Sequence, residues 1–399
     1  MKKNLLFVIP GLDAGGGEKS LINLLTLIDY EKVNVDLLLF NHDGIFMRYL
    51  PNQVNVLPLP ETFRVFALPA HKSIIKFMFK REFDMVYNRI LFAFRNKLSG
   101  NVSKNEQYSW KYVSKSFQVL DKEYDSAIGF LEKTSTYFCV EKVNANKKIG
   151  WVHIDYNKLG MDPEYDMEYF NKLDHIVTVS EECSVILKEN FPSHKDKIDV
   201  IYNIVSPRVI YNMAVQNTEK TTLGSNNKEI SILTIGRLHP QKGYDLAIEA
   251  CQLLCKKRIN VKWHVIGEGE ERKKLVKMIK NKKLQDNFIL HGLEPNPYPF
   301  IKRADIYVQT SKFEGKSIAI DEAKILRKPI IVTDFSTAKD QIIDGVDGMI
   351  VDMDAKSIAA GIEKLIHDKE LRNMLIHNLS EKNLGTEDEI SKFYRLIGT

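Results

Sequence analysis

The chain has 399 residues, a hydrophobic content of 44% and a formal net charge of +5. This length favours two domains, and the apolar content is sufficient for two hydrophobic cores. No uninterrupted apolar run approaches 18 residues, so the sequence predicts no transmembrane helix.

The N-terminus predicts a buried strand, a glycine loop and a helix. The strand is "NLLFVIP", the loop is "GLDAGGGEK" (11–19), and the helix carries the stripe Leu21, Leu24, Leu25 and Ile28. Glycines let a backbone approach a ligand, and a helix N-terminus favours an anion, although a simple glycine turn is the alternative. The basic, apolar start superficially fits a signal peptide, but we expect a strand because the run is strand-length and leads into this loop.

Residues 71–98 combine a high basic charge with aromatic side chains. Seven basic residues stand against two acidic ones, and Lys72, Lys76 and Lys80 form a row beside an apolar stripe. The stripe consists of Ile75, Phe79, Phe83, Val86, Ile90 and Phe94. A basic amphipathic helix of this kind is typical of binding to an anionic membrane surface. The alternative is a helix or helix pair packed on the N-terminal domain, and the lack of a known motif argues against nucleic acid.

Short apolar runs alternate with helical patterns along the rest of the first half. The later strands are predicted at "VNVDLLLF", "YDSAIGF", "KKIGWVH", "DHIVTVS" and "IDVIYNI". His153 follows one of these strands, within "IGWVHIDY". A lone histidine is usually structural, but a position at the end of a strand makes a role in substrate binding equally plausible.

The polar segment 216–229 is predicted to be a linker or surface loop before a second strand–helix series. The strands of that series are predicted at "ISILTIG", "VKWHVIG", "NFILHG", "ADIYVQT", "PIIVTD" and "GMIVD". Strand–helix alternation twice over predicts an α/β protein with two parallel-sheet domains. Cys251 and Cys255 lie four residues apart on a predicted helix, where core packing is expected. The four cysteines show no disulfide or zinc spacing, which fits a reducing cytoplasm.

The stretch "TIGRLHPQKGYD" (234–245) places two cations at the end of a strand. Gly236 permits a tight turn, and Arg237 and Lys242 lie five residues apart beyond it. Two fixed cations together with backbone amides suit a diphosphate. A pair of solvated surface charges is the alternative.

The stretch "EGKSIAIDE" carries two acids, Glu314 and Glu322, separated by seven residues. Eight helical steps span about 12 Å, whereas carboxylates that act on one bond lie about 5 to 9.5 Å apart. Helical phase places Glu322 inward, in a row with apolar residues, and leaves Glu314 in the preceding loop. Asp321 is predicted to be an ordinary solvated residue. The two acids are therefore expected to hold separate ends of an extended ligand.

Nearly the whole chain, except about 60–118 and the linker, resembles the retaining, GT-B-fold glycosyltransferases of family 4. The resemblance rests on "TIGRLHPQKGYDLAIEA", "WHVIGEGEERKKL", "IIDGVDGMIVD" and the E-x7-E signature of Glu314 and Glu322, with looser matches at "AGGGEKSLINLL" and "GWVHIDY". It implies two Rossmann-like domains that face each other across a cleft.

The resemblance implies a set of catalytic residues. Arg237 and Lys242 would hold the donor diphosphate and stabilise the leaving group. Glu322 would bind the ribose, Glu314 would face the donor sugar, and His153 would touch that sugar near the reaction centre. The reaction would retain the anomeric configuration, and no metal or other cofactor is expected.

Further residues are implied in donor binding through their backbone or nearby amides, namely Gly15, Gly16, Gly236, Gly292, Leu293, Gly315, Lys316 and Ser317. The two N-terminal glycines would line the diphosphate, the two residues at 292–293 would flank the base, and those at 315–317 would contact sugar hydroxyls or phosphate. Many family members have an aromatic residue at the position of Lys316. Many also have glycines after the strand "PIIVTD", where this chain has Ser336, Thr337 and Ala338. Both departures concern the identity of the sugar.

The resemblance thus implies a hexosyl-type glycosyltransferase that moves a sugar from a nucleotide sugar, expected to be a UDP-sugar, to a lipid-linked or glycan acceptor. The product would be a bacterial capsule, exopolysaccharide or lipopolysaccharide-type polymer. The alternatives are a protein acceptor, such as a serine-rich adhesin, and a non-catalytic partner subunit. The enzyme is expected in the cytoplasm, peripheral on the inner face of the plasma membrane.

The predicted organisation has four parts. An acceptor-binding domain covers 1–205, with an insertion at about 60–118, and a linker covers 206–229. A nucleotide-sugar-binding domain covers 230–384, and a C-terminal helix at 385–399 is expected to pack back on the first domain.

Overall fold

A computed structural model of the protein describes residues 2–13, 15–98, 101–216 and 229–398. Residues 217–228, half of the predicted linker at 206–229, lie outside the described residues. The chain divides into two compact units. The first comprises Met1–Asp13, Leu24–Ile201 and Ile390–Thr399, and the second comprises Ala14–Asn23 and Tyr202–Glu389.

The first unit is built on a parallel sheet. Its strands are β1 (Lys3–Ile9), β2 (Val33–Leu39), β3 (Val54–Val56), β4 (Glu123–Gly129), β5 (Asn144–Val152), β6 (His175–Thr178) and β7 (Ile198–Val200). They lie in the order β3-β2-β1-β4-β5-β6-β7. The chain therefore reverses its direction of growth at β1 and β4, and the loops that follow these two strands lie at a topological switch point.

The second unit repeats this architecture. Its strands are β8 (Ile230–Ile235), β9 (Val261–Ile266), β10 (Phe288–Gly292), β11 (Ile306–Gln309), β12 (Ile330–Thr333) and β13 (Met349–Val351). Their order is β10-β9-β8-β11-β12-β13, and every pairing is parallel. The switch point lies at β8 and β11, so the loops after these strands are brought together.

Helices connect the strands and cover the sheets. In chain order they are α1 (Gly16–Leu27), α2 (Glu61–Phe66), α3 (Ala70–Phe79), α4 (Phe83–Leu98), α5 (Val102–Val113), α6 (Thr134–Lys142), α7 (Tyr156–Leu159), α8 (Pro163–Phe170), α9 (Glu181–Asn190), α10 (Pro207–Ala214), α11 (Tyr244–Lys256), α12 (Arg272–Asn281), α13 (Tyr298–Arg303), α14 (Ile318–Ile325), α15 (Ala338–Gln341), α16 (Ala355–His367), α17 (Lys369–Ser380) and α18 (Ile390–Ile397).

The predicted fold class is confirmed, because both sheets are parallel and covered by helices. Strands buried on both faces read as continuous apolar runs, which is why the sequence located them well. In the second unit, Ile232 of β8 packs into a core with α11 and α16, while the next residue, Leu233, packs into a separate core with α13 and α14. The final helix α18 belongs to the first unit, where the ring of Phe393 lies 5.9 Å from that of Phe7.

The basic, aromatic stretch at 71–98 forms two helices. The chain breaks between α3 and α4, where Arg81 has a left-handed φ of 59°. The opposite face, with Phe77 and Met85, packs into a small satellite core. Most of the predicted apolar stripe is exposed, with Phe79 at 86% and Phe83 at 66% exposure, whereas its member Val86 packs against the satellite core.

Arg89 corrects the sequence interpretation of this basic stretch. Its side chain is buried and donates from Nε to the carbonyl oxygen of Phe66 at 2.9 Å and from Nη2 to that of Leu68 at 3.0 Å. The guanidinium also lies over the ring of Phe92. Arg89 thus holds α4 to the chain that follows α2, and it is not part of an exposed basic face.

Candidate functional site

The turn after β8 brings two strand ends into close contact. The amide of Gly236 donates to the carbonyl oxygen of Ile266 at the end of β9. Gly267 has a φ of +152°, and a Cβ there would lie 2.0 Å from the oxygen of Gly236. Only glycine fits this approach, so the motif "VIGEGEE" shapes the site through its backbone.

Lys242 ends a short 3-10 turn, Pro240–Lys242, that follows β8. Gly243 comes next with a φ of +62°, and a Cβ there would lie 2.0 Å from the carbonyl oxygen of Thr310. This close approach sets the turn against the loop after β11. As a result, Nζ of Lys242 lies 2.5 Å from Oε1 of Glu314.

Glu314 is buried and has several donors besides the lysine. Its Oε1 accepts from the hydroxyl of Ser311 at 2.5 Å and from Nε2 of Gln309 at 2.9 Å. Nε2 of Gln241 reaches its Oε2 at 3.3 Å. A buried carboxylate is costly unless it is paired and hydrogen-bonded, and these contacts supply both.

Glu322 is buried as the helical phase predicted, at 2% exposure. Its Oε1 accepts from the hydroxyl of Tyr298 at 3.0 Å and forms an ion pair with Nζ of Lys19. The same ammonium lies 4.5 Å from the centre of the Tyr298 ring. The sequence analysis missed Lys19, although this basic residue ends the glycine loop and lies in the first turn of α1.

Arg237 differs from Lys242 in its surroundings. Its side chain is exposed, and within the described ranges no ion pair to it is found. The neighbouring His239 lies 3.6 Å from Glu270, and burial, followed by the charge of Arg237, lowers the pKa of that histidine. The structure thus pairs Lys242 with the acid Glu314 and leaves the side chain of Arg237 exposed.

The residues between the two acids have their own contacts. The amide of Ser317 donates to Oε1 of Gln341 at 2.8 Å, so that amide is occupied by the protein itself. Nζ of Lys316 lies 3.9 Å from the centre of the Tyr202 ring, and the Lys316 carbonyl oxygen accepts from Asn203. Gly315 is buried beside them.

Asp321 is not the solvated residue that the sequence predicted. Its Oδ1 accepts from Nε2 of Gln341 at 3.1 Å, and burial raises the pKa of its carboxyl group. Gln341, from the short helix α15, therefore binds both Asp321 and the backbone of Ser317. The error arose because helical phase does not reveal a neighbouring helix.

The predicted base-binding residues lie at the end of β10. Gly292 has a φ of +87°, and its carbonyl oxygen accepts from the amide of Gly267 at 2.8 Å. Leu293 is 39% exposed. Beside them, Glu268 and Arg272 form an ion pair of 2.6 Å.

The two N-terminal glycines precede and open α1. A Cβ at Gly16 would meet no described atom within 4 Å, whereas one at Gly15 would clash with the flexible side chain of Glu18. Both glycines belong to the second unit, with Lys19.

His153 belongs to the first unit, where it follows β5, whereas the residues above belong to the second unit. Its ring stacks on that of Trp151 at 6.0 Å and tilts against that of Phe130 at 5.0 Å. Its amide donates to Oε2 of Glu132, an acid after β4 that the sequence reasoning missed. Burial lowers the pKa of His153 to about 3, and Nε2 has no hydrogen-bond partner within the described residues.

The fold is similar to that of WaaG, described as a glycosyltransferase involved in lipopolysaccharide biosynthesis, which is 13% identical and superposes with a TM-score of 0.65 over 98% of this chain and 99% of that chain. HepE from Anabaena, solved in complex with UDP-glucose, is 14% identical and superposes with a TM-score of 0.72 over 99% of each chain. At this identity the likeness shows the fold alone, which is the GT-B fold with two Rossmann-like parallel-sheet units.

Residues 215–382 match the family described as glycosyl transferases group 1. Poly(ribitol-phosphate) alpha-N-acetylglucosaminyltransferase of Staphylococcus aureus (strain COL) is 25% identical over 63% of this chain and 51% of its own length. A Campylobacter jejuni relative is 27% identical over 51% of this chain and 53% of its own length. Its name is N-acetylgalactosamine-N,N'-diacetylbacillosaminyl-diphospho-undecaprenol 4-alpha-N-acetylgalactosaminyltransferase. The chain therefore spans about half the length of these relatives.

Proposed function

We propose that this protein is a retaining glycosyltransferase of family 4. It transfers a sugar from a UDP-sugar to a lipid-linked or glycan acceptor in the synthesis of a bacterial surface polysaccharide. The observation that carries the proposal is the pairing of Lys242 with the buried Glu314 at the switch point of the second unit. A parallel sheet places its ligand at this point, and an acid fixed beside cations suits a sugar diphosphate.

Each site residue then has a place along the donor. The exposed guanidinium of Arg237 and the ammonium of Lys242 bind the diphosphate and stabilise the charge that develops on the leaving UDP. Glu314 accepts hydrogen bonds from the sugar, and Glu322 accepts them from the ribose. Gly292 and Leu293 flank the base.

His153 contributes a neutral imidazole. Because burial lowers its pKa to about 3, the ring carries no positive charge at neutral pH. Its Nε2 is buried and has no partner within the described residues, and because a buried polar atom without a hydrogen bond is costly, we propose that a sugar hydroxyl supplies that partner. These cations and hydrogen-bonding groups do the work that a metal does in other enzymes, and we propose that no metal is required.

The donor and the stereochemistry are supported by the relatives. HepE was solved with UDP-glucose, and both curated relatives are alpha-glycosyl transferases by name. Transfer from an alpha-linked UDP-sugar to an alpha-linked product retains configuration. The diphospho-undecaprenol in the name of the Campylobacter relative supports a lipid-linked acceptor here.

The exposed face of α3 and α4 supports attachment to the membrane that would carry such an acceptor. We call this face the aromatic patch, and its exposed members are Ile75, Met78, Phe79, Phe83, Tyr87, Ile90 and Phe94. Lys72, Lys76, Lys80 and Arg81 are exposed on the same two helices or the turn between them. Large exposed apolar patches mark interaction sites, and basic neighbours favour an anionic lipid surface. This attachment is proposed to be peripheral, on the cytoplasmic face. Among the described residues, no helix combines the length and the apolar character of a transmembrane span.

A donor-binding assay tests the proposed activity. Thermal unfolding is measured with UDP, GDP and their sugar conjugates, because a ligand that binds only the folded chain raises its Tm. We expect UDP and one UDP-sugar to stabilise the chain, and the purified protein to release UDP slowly from that sugar. Absence of both stabilisation and UDP release would overturn the proposal and favour a non-catalytic subunit.

A further inference from the structure

We propose that Lys19 is a positioning residue of the nucleotide site, which holds one oxygen of Glu322 so that the other accepts the ribose hydroxyls. This inference rests on the proposed function, because it assigns a nucleoside to Glu322. In this proposal Lys19, from the N-terminal glycine loop, forms an ion pair with the carboxylate of Glu322 on α14.

The contacts at Glu322 are asymmetric. Both the ammonium of Lys19 and the hydroxyl of Tyr298 contact Oε1. The second oxygen, Oε2, has no hydrogen bond or ion pair within the described residues. It is also not fully enclosed by the protein. One oxygen is thus held by the protein, and the other is available to accept hydrogen bonds from a ligand.

Burial makes the cation necessary. Glu322 is 2% exposed, and the side chain of Lys19 is only 18% exposed. Removing one partner of a buried pair leaves an uncompensated charge, which is costly. The ring of Tyr298 supports the ammonium from a second side, through a cation–π contact with its centre at 4.5 Å. Lys19 is therefore held by two groups and is well placed to fix the carboxylate.

The other acid of the site shows the same arrangement. Glu314 is paired with Lys242, which comes from the glycine turn after β8, just as Lys19 comes from the glycine loop after β1. The two lysines differ in what else they can reach. Lys242 stands near Arg237 at the proposed diphosphate site, whereas Lys19 is enclosed by Tyr298 and Glu322. A positioning role is therefore assigned to Lys19 and a direct contact with the donor to Lys242.

The experiment measures binding of UDP, 2′-deoxy-UDP and inorganic pyrophosphate to the full chain by calorimetry. The variants are Lys19→Met, Lys19→Arg, Glu322→Gln and the double variant Lys19→Met/Glu322→Gln. Lys274→Met is the matched control, because it removes an exposed lysine that forms a pair with Glu271 on the surface. We expect the wild-type chain to prefer UDP to 2′-deoxy-UDP.

In Lys19→Met we expect UDP affinity to fall about tenfold, which corresponds to about 1.4 kcal/mol. The preference for ribose over deoxyribose should fall towards one, while pyrophosphate affinity stays unchanged. Lys19→Arg, which keeps the charge, should recover part of the preference. The double variant should bind UDP no more weakly than Glu322→Gln alone, since both changes act on one contact.

The possible failures are distinguishable. If Glu322→Gln loses the ribose preference but Lys19→Met keeps it, the inference about Lys19 is wrong and the proposed function stands. If Glu322→Gln also keeps it, or if the wild-type chain has none, the ribose role of Glu322 fails and the inference fails with it. An equal loss of pyrophosphate and UDP in Lys19→Met would show direct phosphate binding instead of positioning. If Lys19→Met does not fold, a further loss of UDP binding in the double variant relative to Glu322→Gln would overturn the inference, and equal binding would support it.

Discussion

Nζ of Lys242 and Oε1 of Glu314 lie 2.5 Å apart, although the residues are 72 positions apart in the chain. The pair joins the loops after β8 and β11, the two strands at the switch point of the second sheet. The carboxylate is fixed by hydrogen bonds from the β11 loop, so its position is set before a ligand arrives. A preorganised site of this kind stabilises developing charge without reorganisation during the reaction.

Replacement of Lys242 by methionine should abolish sugar transfer and also reduce stability. Transfer should fall about 100-fold or more, because one fixed cation is lost from the leaving diphosphate. The free energy of unfolding should fall by about 1–3 kcal/mol, because Glu314 stays buried and loses its charged partner. Single-turnover kinetics and urea unfolding measure the two effects. Lys274→Met, which removes a 63% exposed lysine, should change neither, and wild-type transfer in Lys242→Met would contradict the diphosphate role.

Replacement of Arg237 by alanine should reduce transfer without reducing stability. The side chain is exposed and has no ion pair within the described residues, so the free energy of unfolding should change by no more than about 0.5 kcal/mol. Transfer should fall at least about tenfold, with weaker UDP binding. Arg237→Lys should recover only part of the activity, because lysine cannot bind phosphate oxygens with a planar fork. Equal rates in the alanine variant and the wild type would remove Arg237 from the site.

Changes in the aromatic patch should release the protein from anionic vesicles. Phe79→Ser with Phe83→Ser removes exposed apolar area, and reversal of Lys72, Lys76, Lys80 and Arg81 to glutamate removes attraction worth about 1 kcal/mol per charge. Co-sedimentation with phosphatidylglycerol vesicles should fall steeply in both variants, and wild-type binding should weaken with salt.

Two matched variants serve as controls for the vesicle experiment. Helix α12 is also basic, and its exposed lysines at 273, 274, 277 and 280 can be reversed together. Val276, 49% exposed on the same helix, is the counterpart for the serine changes. These α12 variants should co-sediment with vesicles to an extent closer to that of the wild type than the patch variants do. Unchanged co-sedimentation of the patch variants, or equal loss in the α12 variants, would argue against docking through the patch.

His153 should make stability depend on pH in acid. Its pKa in the folded chain is about 3, against 6.5 for an unperturbed histidine, because burial disfavours the charged ring. The unfolded chain takes up a proton below pH 6.5 and the folded chain does not. The neutral ring of His153 therefore contributes fully to the free energy of unfolding above about pH 6.5. This contribution is lost by about 1.4 kcal/mol per pH unit as the pH falls towards 3. Urea unfolding of the wild type and His153→Asn at pH 7, 6 and 5 measures it.

We expect the stability advantage of the wild type over His153→Asn to shrink by roughly 2 kcal/mol between pH 7 and pH 5. His264, whose pKa burial lowers to about 4, contributes in the same range but is present in both chains. A constant difference across this range would show that His153 is open to solvent and to protons. Transfer activity should show no titration of His153 between pH 6 and 9.

The sequence determined the strands, because parallel strands covered on both faces are short apolar runs that polar turns separate. It missed β3, whose three residues alternate too briefly to give a pattern. It also determined the inward direction of Glu322, since helical phase is a local property. Lys242, Arg237 and Glu314 were recognisable because each lies in a loop that follows a strand, and Glu322 because of its spacing from Glu314.

Only the tertiary structure decided which groups are paired. The partners Lys242 and Glu314 come from different strand ends, and Lys19 reaches Glu322 from the first helix of the chain. The burial of Arg89 and of Asp321 likewise depends on neighbours that are distant in sequence. Helical phase and strand pattern report how one segment faces its surroundings. Pairing depends on which segments the order of strands brings together, and that order is a property of the whole sheet.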